Sequence, residues 1–539
     1  MKKTLKLILL LLLSSFNSNG QNTFQKVYQS SGHAECFGAY QTIEGGYIFT
    51  GIIDTNGYKI FMCRTDCKGD VLWAKTYNAS STIGNISQRV IQTHDNGFLL
   101  AASAGAFSSY NMALIKTDSM GITQWHKVIQ GTRDDVVNSV IETMDHNFVI
   151  AGKTNSWGQE VSNNIGYTDV YIAKIDSTGN FMWGKTIGTP QTVDEAFDII
   201  ETTDSGYAAT GRYIEQGTFY CFLLRMNKSG ALNYLRAYGD TNQSTNGYAL
   251  IQTADGGFAI TGSTTIMKNS FQDYPDEFII KTDAAGDTLW CKSYHGTNSD
   301  GSENGSSIVE IAGSGYAIGV ATFSYPTIGF VPNKHLVIKT DLTGNMNLAR
   351  TYNDGGSHYP YLSRTRDQQG YLLSGFTTNY SPNFQPMLIR MDNNFDSGCN
   401  ETNVLPLTVQ EHPPFQVRVP QANIAAGGSV VNSTIQANLA LGVYTVCEYI
   451  EDSCVNILAI NNFQNTKNNV LIYFDGISGV IKISDEVLTD FIVQIFNSVG
   501  QLIIESKNKR QIDVSNFKHG IYCVRVSFDN KVISQKVLF

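Results

Sequence analysis

Charge is scarce in this chain: Asp, Glu, Lys and Arg make up 16% of its 539 residues, and 38 basic against 47 acidic side chains leave a net charge of −9. With no basic cluster, the sequence offers no electrostatic footprint for a nucleic acid, and no such partner is expected. The sequence contains no His-Glu-x-x-His, no Gly-x-Ser-x-Gly and no phosphate-cradling glycine loop, which removes the common signatures of zinc proteases, serine hydrolases and nucleotide-binding enzymes. No Cys-x-x-Cys pair occurs among the nine cysteines, so zinc has no support, and neither a metal nor a cofactor is expected. The nine histidines are scattered without paired spacing; His126, between Trp125 and Lys127, is expected on the surface. Proline is sparse, and four of its 11 occurrences (Pro406, Pro413, Pro414, Pro420) crowd into one short stretch. After Leu13 no apolar run is long enough to span a bilayer.

What is present is a repeat. Seven times, at intervals of about fifty to sixty residues, a four-strand phrase recurs, clearest as Tyr248–Thr253, the turn Asp255-Gly-Gly257, Phe258–Gly262, Phe278–Asp283, Gly286 and Trp290–Tyr294. A tight-turn residue precedes the second strand at Gly46, Gly97, Asn147, Gly206, Gly257, Gly315 and Gly370, where Gly or Asn tolerates positive φ. The third strand ends in a basic residue (Arg64, Lys116, Lys174, Arg225, Lys281, Lys339, Arg390), and Asp66, Asp118, Asp176, Asn227, Asp283, Asp341 or Asp392 follows two positions later. The acidic residues are expected to cap Asx-type turns, since a single carboxylate per loop is too little for calcium. The basic side chains are expected to pack their stems and pair with turn Asp residues or carbonyls.

The fourth strand carries large–x–basic–x–large, as in Trp73/Lys75/Tyr77 and Trp125/Lys127/Ile129. Alternation puts these on one face, which suits packing between neighbouring repeats. Only six such strands serve seven repeats, and Phe24-Gln-Lys26-Val-Tyr28, ahead of the first repeat, has the missing spacing. The expected fold is therefore all-β: a seven-bladed β-propeller (residues 21–397) closed by an N-terminal strand, which hides its end-blade edges.

Met1–Lys6 is basic, Leu7–Leu13 is apolar and Ser18-Asn-Gly20 is small and polar, so residues 1–20 read as a cleaved signal peptide. A secreted protein without a transmembrane segment in its mature chain is expected. Such a compartment permits disulfides. Cys399 and Cys447 are the best candidate pair, Cys63 and Cys67 flank one hairpin tip, and Cys36, Cys221, Cys291 and Cys523 sit within strand patterns as buried thiols. Residues 398–456 lose the repeat and read as a small β module or an ordered β-rich connector. From 457 to 539 short strands return in the manner of a small Ig-like β-sandwich.

Phe491–Phe496 followed by Asn497-Ser-Val-Gly500, then Gly520-Ile-Tyr522-Cys-Val-Arg-Val526, then a terminal basic strand with Lys531 and Lys536, resembles the C-terminal sorting domain of the type IX secretion system of Bacteroidetes. The opening Tyr-Pro-Asn-Pro element of such domains is replaced by Asn468–Ile472. The resemblance implies export by the signal peptide and then by the type IX machinery, with the cargo released or attached to the outer cell surface. The repeats likewise resemble the Kelch-like, Asp-Gly-Gly-rich propellers carried by such cargo.

Within each repeat two turns are short and uniform; the opposite connections vary and carry aromatics. Trp157, Phe271, Tyr274, Tyr325, Phe330, Tyr380 and Phe384 are the candidate ligand-binding residues, in loops suited to a glycan or an extracellular protein. The expected function is binding or adhesion without catalysis. The alternative is a secreted glycan-degrading enzyme, for which Asp134, Asp135, Asp194 and Glu195 are the nearby carboxylates.

Overall fold

The protein is described from a computed structural model, which covers residues 23–449 and 471–538 apart from 55–56, 79–84, 107–108, 130, 132, 157–167, 189–192, 241–243, 266–274, 297–301, 325–333, 353–359, 405–407, 413–422, 427–429, 433–435, 439–441, 476–479, 485–489, 497–501, 515–520 and 529–530. Over 405–480 it describes the backbone alone. The described residues are all strand, turn and coil, with no helix.

Seven antiparallel sheets follow one another along the chain: sheet 1 (34–77), sheet 2 (85–129), sheet 3 (135–188), sheet 4 (195–238), sheet 5 (245–295), sheet 6 (303–352) and sheet 7 (361–391). Each of the first six is an up-and-down meander of four strands. Sheet 7 supplies three, and its fourth is Thr23–Gln29, paired antiparallel with Gln385–Met391 (Phe24 opposite Arg390, Val27 opposite Met387). Neighbouring sheets touch in sequence, and sheet 7 touches sheet 1, which makes a closed, propeller-like ring with the first strands innermost.

The repeated residues hold this ring by a common set of contacts. In the third-to-fourth turn the carboxylate accepts two backbone N–H groups; Asp66 Oδ1 takes those of Lys68 and Asp70, both at 2.9 Å. Asp118, Asp176, Asn227, Asp283, Asp341 and Asp392 do the same. Turn capping thus accounts for the acidic series. The basic series reaches back to the first-to-second turn: Lys116 to Asp95 (2.8 Å), Lys174 to Asp145 (2.7 Å), Arg225 to Asp204 (2.8 Å) and Lys281 to Asp255 (2.9 Å). Sheet 6 has no acid in that turn, and Lys339 lies over the Phe395 ring instead, 5.9 Å from its centroid.

Fourth strands lock onto the next sheet. The Tyr28, Tyr77, Tyr238 and Tyr294 hydroxyls donate to the carbonyls of Gly69, Gly121, Gly286 and Gly344 at 2.7–2.8 Å. Gly121 combines a φ of 71° with so close an approach that a Cβ there would lie 2.7 Å from the Trp73 ring, so the turn and the packing both select glycine. In sheet 7 Phe395 takes that place with a φ of 65°. Its ring stacks on Tyr371 at 4.2 Å while its carbonyl accepts from Tyr352. His126, expected on the surface, is buried. It shares a face of its strand with Val128, which packs among the sheet 1 residues Ile60 and Tyr77.

The connector is not a separate module. Its short strands run round the rim in the reverse order of the sheets, each adding antiparallel to an outer edge: Glu401–Asn403 on sheet 6, Thr408–His412 on sheet 5, Asn423–Ala426 on sheet 3, Val430–Asn432 on sheet 2 and Gln436–Asn438 on sheet 1. Gly442–Tyr449 then pairs with Thr23–Gln29, from Gln29 opposite Gly442 to Thr23 opposite Tyr449. The N-terminal strand is thereby flanked on both edges. A strand edge left open is a template for unwanted pairing, and this belt covers six of them. The pairing of Cys63 with Cys67 does not occur. Cys63 is a buried free thiol facing the core shared by sheets 1 and 7, whereas Cys67, in the turn beyond the strand, is disulfide-bonded. Cys36, Cys221 and Cys291 are also buried and free; Cys399 is disulfide-bonded, and the Cys447 side chain lies outside the described residues.

The C-terminal part forms two further antiparallel sheets. One contains Leu471–Asp475, Val480–Ser484 and Gln511–Asp513; the other contains Leu502–Lys507, Ile492–Phe496, Ile521–Phe528 and Lys531–Leu538. Alternate residues of both are buried, Ile481 and Ile512 from the first and Val493, Ile495, Val524 and Val526 from the second, as expected of strands that share one apolar interior.

Candidate binding site on the axial strands

Six of the seven first strands carry a register shift against their partner, between Cys36 and Gly38, Ser87 and Arg89, Val137 and Ser139, Ala196 and Asp198, Gly247 and Ala249, and Gly305 and Ser307. Each shift passes over one residue: Phe37, Gln88, Asn138, Phe197, Tyr248 and Ser306. A bulge re-aims side chains and sharpens twist, and here it does so on the strand edge that faces the ring axis.

Directly after two of these bulges stand Arg89 and Asp198. They form an ion pair of 2.8 Å across a central cavity of about 440 Å³ to which all seven sheets contribute. Arg89 also lies over the Tyr361 ring, 4.9 Å from its centroid, and the hydroxyls of Tyr361 and Tyr40 are 2.5 Å apart. Asp198 accepts from Ser139 Oγ (2.9 Å) and from the Leu250 backbone N–H (3.3 Å). Burial opposes the charge on Arg89, but Tyr361, Tyr40 and Asp198 outweigh it and hold the pKa of the guanidinium above its usual value. Because both ions are hydrogen-bonded within the protein, this network ties sheets together across the axis and leaves neither Arg89 nor Asp198 free for a ligand.

The half-exposed groups lie toward the variable connections. Phe197 and Tyr248, from adjacent bulges, meet at 5.1 Å. Arg212 is sandwiched between the rings of Phe197 and Phe219, at 5.3 and 5.0 Å. Glu195 binds Arg212 Nη2 at 3.0 Å and Lys153 Nζ at 3.2 Å, and accepts from Asn138 Nδ2 at 3.1 Å. Glu195 is nearly covered, while Arg212 and Lys153 are 28% and 25% exposed. An aromatic platform beside a fixed cation and an amide is a surface that can stack a sugar ring or an aromatic side chain and hydrogen-bond its polar edge.

Of the residues expected from sequence to bind ligand, Trp157, Phe271, Tyr274, Tyr325 and Phe330 lie outside the described residues. Phe384 packs on Phe376 and on His33, both at 4.7 Å, and Tyr380 packs against the core between sheets 6 and 7. Gly500 and Gly520 of the sorting motif are outside the described residues; Tyr522, Lys531 and Lys536 lie on paired strands of the C-terminal four-stranded sheet. Phe197, Tyr248, Arg212 and Asn138 were not singled out in the sequence. Asn138, Phe197 and Tyr248 share the bulge position of their first strands, and Arg212 comes from the second strand of sheet 4.

Among the carboxylates weighed for catalysis, Asp134 accepts the Tyr110 N–H (3.0 Å), and Asp194 is buried. Asp135 is buried and bound by Thr154 Oγ1 (2.5 Å) and Ser156 Oγ (2.7 Å); burial pushes its pKa up to about 6. Its unfolded value is about 4, so its ionisation opposes folding. Stability is full below about pH 4 and falls as the pH rises through about 6, a loss of about 3 kcal/mol at ~1.4 kcal/mol per unit. Asp135→Asn should flatten that dependence, so melting temperatures measured from pH 4 to 8 converge in acid and favour the variant at pH 8. Parallel curves for the two proteins would show the charge to be costless.

Residues 472–539 match the family described as the Secretion system C-terminal sorting domain. The match begins fifteen residues inside the boundary expected at 457. It supports a type IX secretion cargo, placed outside the cell or on its outer surface. No curated protein matches the chain. Solved structures similar to it include a thermostable family-43 glycoside hydrolase (11% identity, 65% of this chain and 100% of the other, TM-score 0.32). Another is a eukaryotic initiation factor (9% identity, 90% and 98%, TM-score 0.27). A third is the extracellular domain of a putative hybrid two component system from B. thetaiotaomicron (10% identity, 96% and 98%, TM-score 0.14). At these scores the likenesses carry no argument about activity. Among the described residues no helix is long and apolar enough to cross a membrane.

Proposed function

We propose that the chain is an exported binding or adhesion protein. In this reading residues 1–20 are its signal peptide, the seven sheets are the blades of one closed Kelch-like propeller, and an Ig-like C-terminal sandwich is its type IX address. The ligand is a glycan or an extracellular protein, held on the variable-connection face. The observation that carries this reading is the Phe197–Tyr248–Arg212 platform, where half-exposed aromatics and a braced cation sit on rigid strands. The loop aromatics Trp157, Phe271, Tyr274, Tyr325 and Phe330 are candidates from sequence for the same ligand and lie outside the described residues, while Tyr380 and Phe384 brace the described connection of sheet 7 by packing. The alternative, a glycan-degrading enzyme, needs two open carboxylates; Asp198 and Glu195 are engaged by Arg89 and Arg212.

Applied to a glycan array, the full chain should retain a restricted set of sugars, and Phe197→Ala should weaken that retention at least tenfold. Equal retention by the variant would place the site elsewhere. Cleavage of the arrayed glycans would favour the enzyme instead.

A further inference from the structure

On the opposite, short-turn face the repeat produces one constellation that its sequence spacing hides. In sheets 1 to 6 the residue at or next to the end of the first strand is Gln41, Gln92, Glu142, Glu201, Gln252 or Glu310, and in most of these sheets it accepts the backbone N–H from the turn of the preceding sheet: Ile43 to Gln92 (2.7 Å), Met144 to Glu201 (2.8 Å), Thr203 to Gln252 (2.9 Å) and Ala254 to Glu310 (2.9 Å). Between sheets 2 and 3 the same bond runs from His94 N to Glu142 Oε2 at 2.9 Å, which fixes the carboxylate. Its other oxygen, Oε1, lies 2.5 Å from His94 Nδ1 and 3.8 Å from His146 Nδ1. The two imidazoles stack at 3.9 Å and are exposed, and the three ligand atoms lie within 4.8 Å of one another. Among the described residues this is the one group of three such side chains that converges.

We propose that His94, Glu142 and His146 form a binding site for a divalent transition-metal ion of the zinc class, bridging the turns of sheets 2 and 3. Two imidazole nitrogens and a carboxylate oxygen are the donor set such an ion takes, with water completing a tetrahedron on the open side. Metal–ligand bonds of about 2.0–2.1 Å put neighbouring donors roughly 3.3 Å apart. The His94 ring therefore swings out by about 0.8 Å and the His146 ring moves in by about 0.5 Å. Both are exposed rings with room to turn. The carboxylate needs no such movement, because the His94 backbone already holds its second oxygen, the role an outer-shell partner plays in established metal sites. His146 itself stands at a φ of 58°, where the corresponding turns place Gly45, Asn96, Ser205 and Gly256.

The repeat supplies variants that keep the fold. Glu142→Gln installs the residue used by sheets 1, 2 and 5 at this point, still able to accept the turn N–H. His146→Asn installs the residue that sheet 2 carries at the equivalent position with a φ of 62°. In calorimetric titration of the full chain with Zn2+ in a non-chelating buffer, the wild type should bind one equivalent that both variants lack, with melting curves unchanged in the absence of metal. Co2+ should give visible absorption of tetrahedral intensity with the wild type alone. A wild type that binds no Zn2+, or variants that keep the equivalent, would overturn the proposal.

Discussion

A chain lacking Thr23–Gln29 should fail to give the cooperative melt of the intact protein. Phe24, Val27 and Tyr28 in this strand are fully buried, and each large apolar side chain contributes about 2–3 kcal/mol by leaving water. Three of them already approach a typical stability margin of about 5–15 kcal/mol. The strand does more than fill space. Lys26 pairs with Asp70 of sheet 1 at 2.9 Å, and the Tyr28 hydroxyl donates to Gly69 of the same sheet. Gln25 Nε2 donates to Ser397 Oγ at 2.9 Å, where the ring gives way to the belt. Its deletion opens two sheet edges at once, those of Gln385–Met391 and Gly442–Tyr449. Thermal unfolding followed by near-ultraviolet circular dichroism checks this; an unchanged transition would mean that the ring does not depend on its closing strand.

Two truncations should separate address from architecture. A chain ending at residue 456 keeps every belt strand and loses the sorting domain, so it should melt as the intact ring does and yet vanish from the medium and the outer surface. A chain ending at residue 400 also loses six edge strands. Counting even one net hydrogen bond of about 1 kcal/mol for each strand, it should lose at least roughly 6 kcal/mol and melt well below the first. Cell fractionation reads the export arm and calorimetry the stability arm. Normal export of the 456 truncation would remove the sorting assignment, and equal melting of the two would reduce the belt to decoration.

The residues that recur were the ones the sequence displayed well. Asp66 and its six counterparts, the third-strand cations, the Trp–Lys–Tyr strands and the orphan Phe24–Tyr28 all sit where backbone geometry demands the same chemistry seven times. The belt could not be read in this way. Glu401–Asn403, Val430–Asn432 and Gln436–Asn438 are three residues long, too short for a period, and they are strands because an edge is waiting for them. The His94–Glu142–His146 group escaped for a different reason. His94 and His146 are 52 positions apart and belong to different sheets, and only the contact between two turns unites them. The Phe197 and Tyr248 platform was hidden because a bulge interrupts the alternation that would have predicted its direction.

The pairing of Thr23 with Tyr449 joins residues 426 positions apart, and that separation sets a schedule. A chain that emerges N-terminus first presents its closing strand at the outset, with no partner until residues 385–391 appear and no second flank until 442–449. Contacts so distant along the chain form late and slowly. Through synthesis the ring therefore stays open. The ring becomes complete only when little more than the C-terminal address remains to be made.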